Sequence, residues 1–278
     1  MTSFRFWLFA GFVLVFAACY EKQEGCLDIG ATNFDVTADK PCADECCTYP
    51  VIKMSVSSVY SDLVIDTMYS FKLDKLYEVP GRPGDSIAFS RIRYFVSNVE
   101  LLSGGTVFGV PEELDLFING QSTIVSDNFG RFEPSVSPSA TLGSFAKTGT
   151  FDGVRFTFGL EPAIIGADPD SIPSGHPLSI QSDSTLWLEG AGYQSVYLEL
   201  FRDQTAVDST VIPIEGSMQL EFDFSEPYEV LGGFDLTLKF QIDFSKWFTG
   251  TNPKDDPIPM LRQKILENVS DSFLFLGF

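Results

Sequence analysis

The sequence predicts an all-β fold: an antiparallel β-sandwich that ends in an amphipathic helix and follows a small disulfide-rich segment. Alternating apolar and polar residues recur after Val51, glycine-rich turns separate them, and five cysteines all precede residue 50. Period-two alternation is typical of half-buried strands, and many short strands with such turns predict a sandwich. We therefore divide the chain into a signal peptide (1–18), a lipid-anchor linker with the cysteine-rich segment (19–50), and a sandwich domain (51–278).

The N-terminal segment resembles a bacterial lipoprotein signal. Arg5 precedes an apolar run of about a dozen residues that ends at Ala18, directly before Cys19. This run has the form of an export signal and is shorter than the roughly 20 residues of a membrane-spanning helix. Phe16 stands where the resemblance leads one to expect leucine. We expect lipidation of Cys19, with ordinary cleavage or a retained anchor as alternatives.

Composition narrows the function classes. The chain has 18 basic and 38 acidic residues and a formal net charge of −20. Since such a surface repels phosphate backbones, we expect no nucleic-acid partner. The N-terminal lipid would then provide the contact with the outer membrane, at its periplasmic face or at the cell surface. The other partner would be a protein or small ligand of unknown identity.

The sequence contains a single histidine, His176, whereas phenylalanine is abundant with 27 residues. A Ser-His-Asp relay or a histidine-based metal site would therefore depend on that one residue. We also find no phosphate-binding glycine loop and no nucleophile elbow. The sequence thus predicts a non-catalytic chain.

The cysteine-rich segment predicts disulfides. With Cys19 lipidated, an even number of cysteines remains in an exported chain: Cys26, Cys42, Cys46 and Cys47. An oxidising compartment favours their pairing. Three pairings are possible and the sequence leaves them open, although we expect the adjacent Cys46 and Cys47 to have different partners.

Residues 25–42 resemble a short module of exported bacterial proteins, with oxygen-bearing side chains at Asp28, Asn33, Asp35 and Asp39. Such donors suit a hard cation, so calcium is one hypothesis. The same residue types satisfy backbone groups in tight turns. We favour the turn interpretation and keep calcium as the alternative.

The body contains several predicted strands. Phe234 to Phe244 alternates without interruption, with Phe234, Leu236 and the following even-numbered residues on one face. Ile92 to Leu102 is apolar on both faces, which predicts a strand through the middle of the core. Residues 130–149 and 161–184 are rich in Ser, Pro and Gly, so we predict two surface loops, where a sandwich would present a ligand or protein contact.

The end of the chain predicts one helix. Leu261, Ile265, Val269 and Phe273 recur every four residues after Asp255, which indicates an apolar stripe packed on the sandwich. The last six residues are expected to add an edge strand or to dock into the core.

Four separated pieces, at 91–101, 151–160, 176–179 with 186–193, and 244–248, together resemble the methanobactin-associated copper-binding protein family, MbnP-like. The resemblance implies one β-sandwich domain in an envelope lipoprotein. It also implies copper ligands from histidine, in some members with an oxidised tryptophan, which would here be His176 and Trp187. Glu189 stands where a second tryptophan is expected.

We expect loop shaping by His176, core packing by Trp187 and no bound cofactor. Because the resemblance also implies copper, a copper or other metal carrier is the alternative function.

Overall fold

The computed structural model describes residues 21–43, 46–62, 65–134, 136–181 and 184–278. The predicted signal peptide and the lipidation of Cys19 lie outside these residues. Neither α-helix in the described part of the chain has the length and apolar character of a membrane span.

The described residues are mostly in strands. In chain order the strands are β1 Glu24–Gly25, β2 Lys40–Pro41, β3 Val51–Asp62, β4 Thr67–Ser70, β5 Leu76–Glu78, β6 Ser86–Ser103, β7 Thr106–Phe108, β8 Glu113–Ile118, β9 Gln121–Ser126, β10 Phe129–Phe132, β11 Ser139–Ser144, β12 Gly149–Phe158, β13 Trp187–Leu188, β14 Gly192–Tyr193, β15 Val196–Phe201, β16 Thr210–Ile214, β17 Met218–Val230, β18 Leu236–Asp243 and β19 Phe273–Gly277. The α-helices are Pro162–Ile165 and Ile258–Ser272, and 3₁₀ turns occupy Pro169–Ser171 and Lys246–Phe248.

Two sheets form the sandwich. The large sheet has the order β16-β15-β6-β12-β17, with β5, β7 and β10 also paired to β6. The small sheet has the order β11-β3-β18-β19, with β4 on β3. Aromatic rings join the facing sides, as where Phe156 and Phe240 lie 5.2 Å apart between ring centroids. The β-sandwich prediction is confirmed, although β3 and β18 pair in parallel, since the whole large sheet lies between them in sequence.

Strand β6 runs through the centre of the large sheet, between β12 and β15. Its residues are apolar in both directions because each face covers a separate core. Ile92 and Tyr94 belong to the main core between the sheets, whereas Phe95 belongs to a second core on the outer face. The predicted central strand is thus confirmed, and its two-sided apolar character is explained.

The second core lies on the outer face of the large sheet, under two segments of the chain: the one between β7 and β10 and the one between β12 and β15. It contains Phe95, Leu114, Leu116, Ile118, Phe129, Leu160, Ile164, Ala167, Ile172, Leu178, Leu186 and Tyr193. Phe95 comes from β6 and Phe129 from β10, and the other residues come from the β8–β9 hairpin and from the segment that precedes β15. The outer face of the large sheet is therefore covered rather than exposed along this region.

The predicted loop at 130–149 is wrong in part, because β10 and β11 occupy much of it. A Cβ added at Gly130 would lie 2.8 Å from the Phe132 side chain and 2.9 Å from that of Leu142. The glycine is thus needed for close packing and does not mark a loop. Phe234, predicted to lie in the same strand and on the same face as Leu236, precedes β18 and is 68% exposed.

The C-terminal helix agrees with its predicted stripe. Leu261, Ile265 and Val269 are all fully buried in the main core. Phe273 begins β19, which pairs antiparallel with β18. Of the two alternatives for the chain end, the edge strand is the one the structure shows.

The cysteine-rich segment is joined by two disulfides, Cys26–Cys47 and Cys42–Cys46. The expected disulfides are therefore present, and the adjacent cysteines have different partners. The segment packs against the turn between β17 and β18, where a Cβ at Gly233 would lie 3.2 Å from the Ala31 carbonyl oxygen. The segment thus rests on the sandwich and does not extend away from it.

Candidate functional site

Hydrogen bonds engage both ring nitrogens of His176. Nδ1 accepts from the Leu178 N–H at 3.1 Å, and Nε2 lies 2.9 Å from Asp127 Oδ1. This pattern assigns the tautomer in which Nε2 donates to the carboxylate. The side chain is only 9% exposed and its ring meets Phe129 edge-on. The imidazole is thereby held by its neighbours and keeps no lone pair for a metal ion.

His176 also organises its own loop through the backbone. Its N–H donates to the Pro173 carbonyl, and its carbonyl accepts from the Ser179 N–H at 2.8 Å. Gly175 next to it has φ +84°, the left-handed region that favours glycine. The histidine therefore stabilises the loop from Pro173 to Ser179.

Trp187 lies in β13, opposite Tyr193 of β14, and packs half-buried against the second core. Tyr193 is buried and its hydroxyl donates to the Leu178 carbonyl at 2.7 Å, which joins this hairpin to the histidine loop. Between Trp187 and His176 themselves, the described residues show no hydrogen bond or ring contact. His176 instead packs on Phe129, and Trp187 lies opposite Tyr193 in the hairpin.

Other candidate donors for copper are sulfur atoms. Within the described ranges, Cys42, Cys46 and Cys47 form the one group of His, Cys, Asp or Glu donors that lie within 4.8 Å of one another. All three are in disulfides, whereas copper prefers thiolate or imidazole. The donor chemistry of His176, Trp187 and the oxidised cysteines therefore does not fit a copper ion.

The four oxygen-bearing side chains proposed for calcium each make hydrogen bonds to neighbouring residues. Gly30 N–H donates to Asp28 Oδ1 at 2.8 Å, Thr48 N–H to Asn33 Oδ1 at 2.9 Å, Thr37 N–H to Asp35 Oδ1 at 2.8 Å, and Gln23 N–H to Asp39 Oδ2 at 3.0 Å. Hydrogen bonds from the Thr37 hydroxyl and N–H also lower the pKa of the Asp35 carboxyl. The contacts of Asp28 and Asp35, two residues along the chain, are those of Asx turns, whereas Asn33 and Asp39 bond to residues 15 and 16 positions away and join distant parts of the segment.

A cavity of about 460 Å³ opens beside the histidine loop, and we call it the arginine pocket. Arg93 of β6, Arg131 of β10 and the following Glu133 line one part of it. The remaining lining residues are Val136, Ser137, Ser139, Ala140, Thr141, Gly175 and Pro177. Both segments predicted to present a contact surface, 130–149 and 161–184, therefore contribute to this pocket.

The two arginines of the arginine pocket differ in their hydrogen-bond partners. Arg93 Nε donates to Glu133 Oε2 at 2.8 Å, and Arg93 Nη1 donates to Thr185 Oγ1 at 2.9 Å. Arg131 is half-buried, and among the described residues its guanidinium makes no hydrogen bond or ion pair. Burial and the nearby Arg93 charge lower the pKa of Arg131, while Glu133 acts in the opposite direction.

The pocket residues were missed at the level of sequence. Arg93 was noticed only as part of the family resemblance, and Arg131 and Glu133 lay in a segment predicted to be a loop. A usable signal exists, because Arg91 and Arg93 place two charges on one face of an otherwise apolar strand. What the sequence does not show is the register that sets Arg131 opposite Phe95.

Comparisons with known proteins agree with the resemblance. The family model for MbnP matches residues 52–262. A solved structure, MbnP from Methylosinus trichosporium, is similar with a TM-score of 0.47 and 13% identity, over 77% of this chain and 86% of that chain. No curated protein matches. Since the family model spans well over half of the sequence, the chain belongs to the MbnP family.

Proposed function

We propose that this chain is a non-catalytic binding or accessory module of the Gram-negative envelope, held at the outer membrane by a lipid on Cys19. The arginine pocket carries this proposal. It lies where β6 meets two segments that were predicted to present a contact surface, 130–149 and 161–184. Its volume of about 460 Å³ is in the range of small-ligand sites.

The state of the single histidine supports a non-catalytic role. Asp127 and His176 resemble the acid and base of a catalytic relay, in which the second ring nitrogen faces a nucleophile. Here that second nitrogen, Nδ1, accepts from the Leu178 N–H. Its lone pair is therefore occupied by the fold and is not directed at a hydroxyl or thiol.

Replacing Cys19 by serine tests the membrane attachment. We expect the full-length wild-type protein to incorporate labelled palmitate and to sediment with outer-membrane vesicles. The Cys19→Ser protein should lose the label and become soluble or remain as an unprocessed precursor. Tyr20→Ser is the matched control, because it changes the neighbouring residue and keeps the thiol. Equal labelling of wild type and Cys19→Ser would contradict the proposal.

The second candidate function is a copper or other metal carrier, as the family name suggests. The observation in its favour is the proximity of the Cys42, Cys46 and Cys47 sulfur atoms. If the disulfides were reduced, these atoms would be soft thiolate donors of the type that Cu(I) prefers. The oxidised segment and the occupied His176 ring make this the weaker candidate.

Metal content separates the two functions. Full-length protein purified in detergent from cells grown with copper is expected to contain far less than one copper per chain, in the wild type and in His176→Ala alike. One equivalent that disappears in His176→Ala would contradict our preference. One equivalent that persists in His176→Ala but disappears in the Cys42→Ser, Cys46→Ser double variant would identify the cysteine cluster as the metal site.

A further inference from the structure

We propose that the arginine pocket binds the oxyanion end of a small ligand, a carboxylate or a phosphate monoester, with Arg131 as its principal contact. This inference rests on the proposed binding role and adds the chemical class of the ligand.

The strand register places the two arginines at one spot. In the antiparallel pair of β10 and β6, Arg131 lies opposite Phe95, and Arg93 is two residues before Phe95. Residues two apart in a strand share a face, so all three point to the outer side of the large sheet. Diagonal neighbours of this kind lie within reach of long side chains. Both guanidinium groups can therefore contact one anion.

The local charge is positive in a strongly acidic protein. Among the described residues, the charged groups that line the pocket are two guanidinium groups and the carboxylate of Glu133, while the chain as a whole has a net charge of −20. Glu133 is already hydrogen-bonded to Arg93. A half-buried cation such as Arg131 is stabilised by a partner that restores the hydrogen bonds it loses to burial. An oxyanion would supply those bonds and would also offset the repulsion between the two arginines.

The shape and lining indicate a small organic anion. A guanidinium group presents parallel N–H donors that match carboxylate and phosphate oxygens in a bidentate manner. The other side of the pocket offers the hydroxyls of Ser137 and Thr141, with Val136 and Pro177 as apolar neighbours, while the Ser139 hydroxyl donates to Ser55 Oγ at 3.1 Å. This mixture suits a ligand with one charged end and a partly polar body.

Arginine side-chain NMR tests the inference on the full-length protein in a non-ionic detergent. The Nε–Hε resonances are followed during titration with inorganic phosphate and, separately, with acetate, at constant ionic strength set by potassium chloride. We expect a saturable shift of the Arg131 resonance in at least one arm. The arm that saturates at the lower concentration distinguishes a phosphate ligand from a carboxylate. A shift that rises linearly and equally for all arginines would overturn the proposal.

Three variants sharpen the test. Arg131→Gln should weaken binding by about tenfold, as expected for loss of a hydrogen bond to a charged group. Glu133→Gln should strengthen it, because the competing negative charge is removed. Arg91→Gln is the matched control: Arg91 lies two residues before Arg93 on β6, opposite Glu199 and outside the pocket lining, so binding should be unchanged. Equal affinity in wild type and Arg131→Gln would overturn the proposal.

Thermal unfolding checks that each variant folds. If Arg131→Gln does not, Arg131→Lys replaces it, since lysine keeps the charge and loses the bidentate donors; unchanged affinity there would also overturn the proposal. The result is separable from the proposed function. A wild type that binds neither anion but still co-purifies with an envelope protein would refute only the ligand class. A wild type that binds the anion saturably but is found to carry no lipid on Cys19 would refute only the membrane anchoring.

Discussion

Replacement of Trp247 by alanine is expected to lower the free energy of unfolding by about 3–5 kcal/mol, the range for deleting a large buried aromatic side chain. Trp247 is fully buried, with its ring centroid 4.8 Å from that of Phe244 and 6.0 Å from that of Phe158. Its Nε1–H donates to Ser272 Oγ at 3.2 Å. The side chain therefore connects the turn after β18, the large sheet and the end of the C-terminal helix.

Urea unfolding followed by circular dichroism measures this loss. Trp247→Phe is the matched control, because phenylalanine keeps most of the buried aromatic area and removes the indole N–H together with a small part of the ring system. Its cost should be clearly smaller, since Ser272 Oγ still donates to the Val269 carbonyl at 2.7 Å. A loss below about 1 kcal/mol for Trp247→Ala, typical of an exposed site, would show that this contact does not hold the layers together.

A second large effect is expected for Gly192→Ala, which should destabilise the protein by at least twice as much as Gly190→Ala. Both glycines have left-handed backbone, with φ +83° at Gly192 and φ +80° at Gly190. A non-glycine residue in this region costs roughly 1–2 kcal/mol. Only at Gly192 would the new Cβ also lie 2.1 Å from a backbone oxygen, that of Ile165, whereas nothing lies within 4 Å at Gly190. Gly192→Ala must therefore displace the backbone of the second core.

Thermal unfolding of the two variants separates backbone strain from steric conflict. Gly190→Ala reports the strain alone, so it serves as the internal control. The fluorescence of Trp187, in the hairpin that contains Gly192, should change in Gly192→Ala and remain close to wild type in Gly190→Ala. Equal losses of stability in both variants would contradict the close approach between β14 and the helix Pro162–Ile165.

Local sequence patterns predicted the strands and helices in which buried residues recur at a regular interval. The central strand around Ile92 and the helix with Leu261, Ile265 and Val269 were both identified correctly, because one face or both faces of each element must be apolar. Strands β10 and β11 were missed because residues 130–149 are rich in Ser, Pro and Gly, and Gly130 in β10 looks like a turn residue. Its role is a close approach to Leu142, which depends on the pairing of strands and leaves no trace in a local window.

The candidate site was harder to predict from the sequence, because it too depends on contacts between distant parts of the chain. The flanking Gly175 and Pro177 suggested that His176 shapes a loop, but its hydrogen-bond partner Asp127 is distant in sequence. The arginine pocket depends on the register between β6 and β10 and on residues from β11 and from the loop around His176 that line its other side. The net charge of the chain pointed away from such a pocket, because a negative total charge does not reveal a cavity that is locally basic.

The parallel pairing of β3 with β18 has a kinetic consequence. One edge of β3, near the start of the body, has no strand beside it until residues 236–243 are available. Pairings so distant along the chain pay a loop-closure entropy before they contribute stability, and this slows folding. An unpaired strand edge is also a template for aggregation. The small sheet is therefore expected to close late, after nearly the whole polypeptide has been delivered, and truncation before β18 should leave a chain that cannot complete its fold.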